Sequence, residues 1–258
     1  MTVSARDLTV VTRFNGRLFW RDRTALSTSV LLFLLLGTGM PLMMDRLGEG
    51  GPEFLVDMHL GVLATVLVIS TFQQTAVTLS TRRDQLLLKR LRATGLGDRD
   101  ILGGEIVNLV LQSTALTAVV SVALYGLTSL PVPRDPLLYL FAVVAGALVL
   151  CLLGAAFTVI VPRSELAGPM AMPFFLLAGL GVGGFGPIMQ VLPGWVGTVL
   201  GLLPTDAVVD MARTAYAAHG SLGGDLRAAA LPTLKLAVWA AIAVLVIVRG
   251  FRWESRKS

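Results

Sequence analysis

A chain of 258 residues that is 55% hydrophobic and only 14% charged, with a mean hydropathy of +0.78, is not an ordinary soluble domain, where about a quarter of residues carry charge. The net charge of +5 would suggest nucleic-acid binding in a soluble protein, but the basic residues here gather in loops between long uncharged windows. Such windows read as transmembrane helices, so the expected partners are lipids and other membrane proteins, with no nucleic acid. The single cysteine, Cys151, excludes an intrachain disulfide and a metal cluster built from cysteines.

Residues 1–24 open the chain with a basic segment. Arg13, Arg17 and Arg21 recur every four positions, and Val10, Phe14 and Leu18 form an adjacent stripe, with Trp20 beside them. This predicts an amphipathic helix in the headgroup layer, its arginines towards lipid phosphates; a solvated helix is the alternative. The polar lead is too long for a cleavable signal peptide. The first span is expected at 25–44.

The second span covers 54–80, with Asp57 and His59 near the interface at its start. A basic segment follows at 82–99. The third span is expected at 101–130, and a Pro-rich loop precedes the fourth at 137–161. From Leu166 to Thr205 no residue is charged, and the stretch is broken by Pro169, Pro173, Pro187, Pro193 and Pro204. It is too long for one membrane helix and short for two with a solvated loop. The reading is a fifth span at 166–186 and a re-entrant segment at 187–205 holding Trp195. A polar stretch then carries Asp206, Asp210, Arg213, His219, Asp225 and Arg227 before the sixth span at 231–248.

Of the 21 Lys and Arg residues, 16 lie in 1–24, 81–100, 162–165 and 249–258. That bias predicts both termini on the cytoplasmic side. The expected fold class is an all-α polytopic membrane protein, a single domain over 1–258 with six spans.

Chemistry-bearing motifs are scarce. Gly179, Gly181 and Gly184 fit G-x-G-x-x-G, but inside an apolar segment with neither the strand nor the acidic partner of a dinucleotide site. No P-loop and no H-E-x-x-H occur, and His59 and His219 are far apart. No catalytic residue, cofactor-binding residue or metal ligand is therefore proposed from the sequence, and the chain does not read as an enzyme. Polar residues within spans are few. Gln73 and Thr78 lie in the second; Glu105, Asn108 and Gln112 share one face of the third. Gln73, Thr78, Asn108 and Gln112 are candidates for a translocation path or a dimer seam; contact between helices of the same bundle is the alternative. Glu105 is expected near the interface, paired with an arginine. Apart from Glu105 no carboxylate lies deep within a span, which argues against an ion-coupled carrier.

Asp84-Gln85-Leu86-Leu87-Leu88-Lys89-Arg90-Leu91-Arg92-Ala93-Thr94-Gly95-Leu96 resembles the loop between spans two and three of ABC-2 type transporter permeases. It is most similar to the daunorubicin-resistance branch, whose pattern carries Gly-Thr where this chain has Leu86-Leu87, and proline where it has Gly95. Leu192-Pro193-Gly194-Trp195 and Leu203-Pro204-Thr205 are similar to that family's outer-side LP-x-W … LP pattern. The resemblance implies a permease subunit of a drug or lipid exporter, paired with a second permease subunit as a homodimer or heterodimer. It also implies a separate cytoplasmic ABC ATPase dimer that holds ATP and Mg. Arg83, Leu87, Leu88, Lys89, Arg90, Leu91, Arg92 and Thr94 would then be the seat for that ATPase. Abundant Ala, Gly, Val, Leu and Arg with few Lys suggest a bacterial plasma membrane. A non-transporting anchoring, assembly or immunity protein is the alternative, as is export of a glycan.

Overall fold

The computed structural model describes residues 34–48 apart from 36 and 40, and then 51–93, 97–181, 194–217 and 222–251. The expected interfacial helix with Arg13, Phe14, Arg17, Leu18 and Trp20, most of the first span, and positions 187–193 of the re-entrant segment lie outside these residues. Among the described residues every regular element is helical.

Helix α1 (Pro52–Leu67) starts with a proline in its first turn, where a missing N–H costs nothing. It runs through a π-helical segment, Val68–Gln73, into α2 (Gln74–Asp84). Together they form a continuous stretch of 33 residues. At 1.5 Å per residue this is roughly 50 Å, so one end projects past a hydrocarbon layer of about 30 Å. A short helix α3 (Leu87–Ala93) follows, then α4 (Asp98–Leu127), α5 (Pro136–Phe157) and α6 (Ser164–Gly181). Helices α7 (Gly194–Leu200) and α8 (Pro204–Tyr216) meet at an 84° bend, and α9 (Leu222–Gly250) closes the order.

Four helical stretches are long and apolar enough to cross a membrane: Pro52–Asp84, Asp100–Leu127, Pro136–Phe157 and Arg227–Gly250. The bent α7–α8 pair makes a fifth if it is one broken span. Helix α6, interrupted by Pro169 and Pro173, is not among the four.

Helix α5 is the hub. It packs against α4, α8, α9 and the π segment, and its small residues set how close they come. Gly146 faces Val208 of α8, and Gly154 faces the backbone of Phe72, both too near for a Cβ. Leu60, Leu67, Val143, Ala147, Leu150, Val208 and Met211 fill the core.

Two features depart from the sequence reading. The region from Asp206 onward was expected to be a polar stretch. Instead Ala207, Val208, Met211, Ala212 and Ala215 form a buried stripe on α8, at spacings of three and four. Asp206, Asp210 and Arg213, also three and four apart, occupy another face. His59, expected at the interface, is buried, 1% exposed.

The π segment has local causes. Ser70 and Thr71 both bond back to the Leu67 carbonyl, Ser70 at 3.5 Å and Thr71 more closely. Ser70 also meets Ser113 Oγ of α4 at 2.7 Å. Hydroxyls that crowd a helix carbonyl loosen the i→i−4 ladder there. The widened turn then presents Phe72 to Gly154, where no side chain intervenes. Gly154→Ala should therefore lower stability by about 2 kcal/mol through overpacking against backbone. Gly126→Ala, where a Cβ meets open space, should be neutral; thermal melting of the purified chain compares the two.

Candidate functional site

The end of α2 carries the sequence Arg82-Arg83-Asp84, and each of these residues holds a different helix. Arg82 Nη1 lies 2.7 Å from Glu105 Oε2 of α4. Arg83 donates to the Thr158 carbonyl at 3.1 Å and to the Val161 carbonyl at 2.9 Å, at the C-terminal end of α5. Asp84 Oδ2 accepts from the Ser164 backbone N–H at 2.8 Å, at the start of α6. These are the groups that a helix leaves unpaired at its ends, and a guanidinium and a carboxylate suit their opposite dipole signs. Arg83 Nε also lies 3.5 Å from Asp84 Oδ1, which orients both side chains.

Immediately after this corner the chain turns at Gln85-Leu86 into α3. Leu86 has φ of +57°, the left-handed region that glycine adopts without cost. This is the position at which the resembled pattern carries Gly. Leu86 is 44% exposed, while Leu88 is fully buried, and α3 packs on α2 and α4. Leu87 and Leu91 are half-buried and Arg90 is exposed.

Two residues of the expected ATPase seat are buried within the chain. Arg83 and Leu88 face into the chain, where they anchor α3 and its corner. The arginine was read as outward because it sits in a basic loop, yet its long side chain reaches back to carbonyls about 75 residues later. Leu86, Leu87 and Arg90 present the accessible surface. The side chains of Lys89 and Arg92, and Thr94 as a whole, lie outside the described residues.

The four residues proposed for a path or seam are not brought together by hydrogen bonds among the described residues. Gln73 sits in the π segment and Thr78 on α2, both half-buried. Asn108 is buried on α4, and Gln112 lies one turn further with its Nε2 buried and unbonded. The expected pairing of Glu105 with an arginine is present as the Arg82 ion pair.

The opposite end of the bundle holds a second polar group. His59 Nε2 lies 3.0 Å from the Tyr139 hydroxyl, which lies 3.0 Å from Ser121 Oγ. The Tyr125 and Tyr216 hydroxyls meet at 2.8 Å. Arg213 bonds Asp57 at 2.9 Å across the mouth of this cluster. Beside it, α9 clasps the α7–α8 bend. Lys235 Nζ donates to the Gly201 carbonyl at 3.1 Å and to Asp206 Oδ2 at 3.3 Å. Trp239 Nε1 donates to the Leu202 carbonyl at 2.8 Å. Sequence spacing held a signal for this clasp: Lys235 and Trp239 are one helical turn apart in an otherwise apolar span.

The long apolar helices and the polar contacts between them define a helical membrane domain. A family model described as ABC-2 family transporter protein matches residues 49–249, and the chain belongs to that family. No curated protein matches the chain.

Two measurements check the corner. Arg83→Met should cost about 3 kcal/mol, because it leaves buried carbonyls without a donor; chemical denaturation in detergent reads the loss. Leu86→Gly should raise stability by about 1 kcal/mol by relieving the left-handed leucine, while Leu87→Gly, inside α3, should lower it.

Proposed function

We propose that this chain is the membrane-spanning subunit of an ATP-driven exporter that moves a small amphipathic compound, such as a drug or a lipid, out of the cell. It works with a second permease subunit, as a homodimer or heterodimer. ATP and Mg belong to a separate cytoplasmic ABC ATPase dimer. The whole plan has six spans, adding one at 25–44 and α6 to the apolar helices already described, and both termini are cytoplasmic in a bacterial plasma membrane.

The observation that carries this reading is the Arg82-Arg83-Asp84 corner. Helix α3 is too short to be stable alone, and it hangs from a point that grips α4, α5 and α6 together. A push on α3 reaches three helices, through an ion pair two turns into α4 and hydrogen bonds at the end of α5 and the start of α6. That arrangement suits a helix on which another protein does work. The exposed and half-buried residues Leu86, Leu87, Arg90 and Leu91 supply an apolar strip with a basic edge for a groove on the ATPase. An apolar cavity of about 110 Å³ beside the π segment, lined by Val68, Phe72, Leu150, Phe174 and Trp239 among others, supports a cargo with an apolar body.

Reconstitution with an ATP-binding partner subunit tests this reading. Leu87→Asp combined with Arg90→Glu should abolish co-purification of the ATPase and reduce transporter-stimulated ATP hydrolysis by about tenfold, the size expected when a buried apolar contact and a charge contact are both lost. Normal co-purification and unchanged hydrolysis in the double variant would show that α3 is not the seat. Those results would favour a chain that anchors or assembles without transport.

A further inference from the structure

A cleft of about 360 Å³ opens between α8 and α9, at the end of the bundle remote from α3. Its walls have two characters. Asp210, Arg213 and Lys235 supply charge of both signs, while Ala217, Ala228, Leu231 and Pro232 supply an apolar floor. Arg213 pairs with Asp57 at 2.9 Å and more loosely with Asp210, and Lys235 pairs with Asp206 at 3.3 Å. Arg213 Nη1 is 3.8 Å from Asp210 Oδ1, and both side chains are more than 40% exposed. Ion pairs this exposed contribute little and exchange readily with the charges of a ligand.

Position in the bilayer narrows the ligand. The Arg227–Gly250 span is roughly 36 Å long by helical rise, slightly more than the hydrocarbon thickness. Lys235 lies roughly 12 Å along it from Arg227, at the inner end of the cleft lining, with its ammonium held towards Asp206. Val238 and Ile242, one and two turns beyond Lys235 on the same helix, are exposed. A ligand here meets mixed charge at one end and an apolar helix surface at the other.

We propose that the α8–α9 cleft is a binding site for a phospholipid whose headgroup carries both a phosphate and an ammonium. Arg213 and Lys235 face the phosphate, Asp210 accepts from the ammonium, and an acyl chain follows Val238 and Ile242 towards the bilayer interior. An anionic headgroup without an amine leaves Asp210 facing a phosphate. The site goes beyond the exporter reading and does not depend on it, since its test reads binding and not transport.

The full chain, purified in detergent and exposed to equal amounts of phosphatidylethanolamine and phosphatidylglycerol, is analysed for retained lipid by native mass spectrometry. The wild type should retain phosphatidylethanolamine with about tenfold preference, the size of one charge-assisted hydrogen bond. Ala228→Trp, which fills the cleft from an exposed position, should remove the preference while leaving the melting temperature unchanged. Should that variant fail to fold, Asp210→Asn should lower the preference towards parity. Equal retention of the two lipids by the wild type overturns the proposal, as does a preference that survives a folded Ala228→Trp or, where that variant does not fold, Asp210→Asn. Water-soluble glycerophosphoethanolamine that competes as well as the lipid overturns the assignment of a membrane lipid.

Discussion

A carbonyl at the end of a membrane helix has no water to bond when neighbouring protein covers it, and leaving it bare costs more than any ordinary surface contact returns. Arg83 meets that constraint for α5, donating to two carbonyls at once from a side chain that is itself buried. The neighbouring Asp84 does the converse for α6, and Arg82 neutralises Glu105 of α4. Three consecutive residues can serve three helices because they lie in the last turn of α2, where successive side chains point in directions about 100° apart. The course of the chain after them depends on this corner. The turn at Leu86 and the seating of α3 start from a point already fixed by three helices.

The other end of the bundle meets the same constraint by a different route. Its chain direction changes within the apolar region, at the α7–α8 bend, and the carbonyls freed there are taken by Lys235 and Trp239 of α9. Small residues on α5 let α8 and the π segment approach closely enough for these long-range bonds to form. The two ends thus differ in character. One is a compact corner made by consecutive residues. The other is a clasp made across separate helices, with a cleft beside it.

Much of the helical plan is legible in the sequence because hydropathy is a property of local windows. The positions of α4 and α5 follow from it to within a few residues, as does the end of α9, which begins about two and a half turns earlier than its apolar window. The Arg82–Glu105 pair was anticipated, since a carboxylate just inside a span needs a nearby cation. What escaped reading depended on partners remote in the chain. His59 looks interfacial until Tyr139, 80 residues later, is placed against it. Arg83 looks outward until the end of α5 is known. The charges of α8 hid a buried stripe because each turn carries one polar and two apolar positions. Leu88 was one of several leucines in a row, and only packing on α2 and α4 distinguishes it from its exposed neighbour Leu86.

The π segment gives this bundle a phase. A π turn accommodates one more residue than the α ladder would, so α2 keeps the phase that a regular helix with one residue fewer would give it. Losing a single residue between 68 and 73 would restore a regular helix without shortening the span appreciably. Because the widened turn already absorbs that residue, the last turn of α2 would keep its phase, with Arg83 still aimed at the end of α5. Loss of a residue from the regular turns of α1 or α2 would instead swing the corner by about 100°, so the π segment is where this span can change its length without turning Arg83 away from its partners.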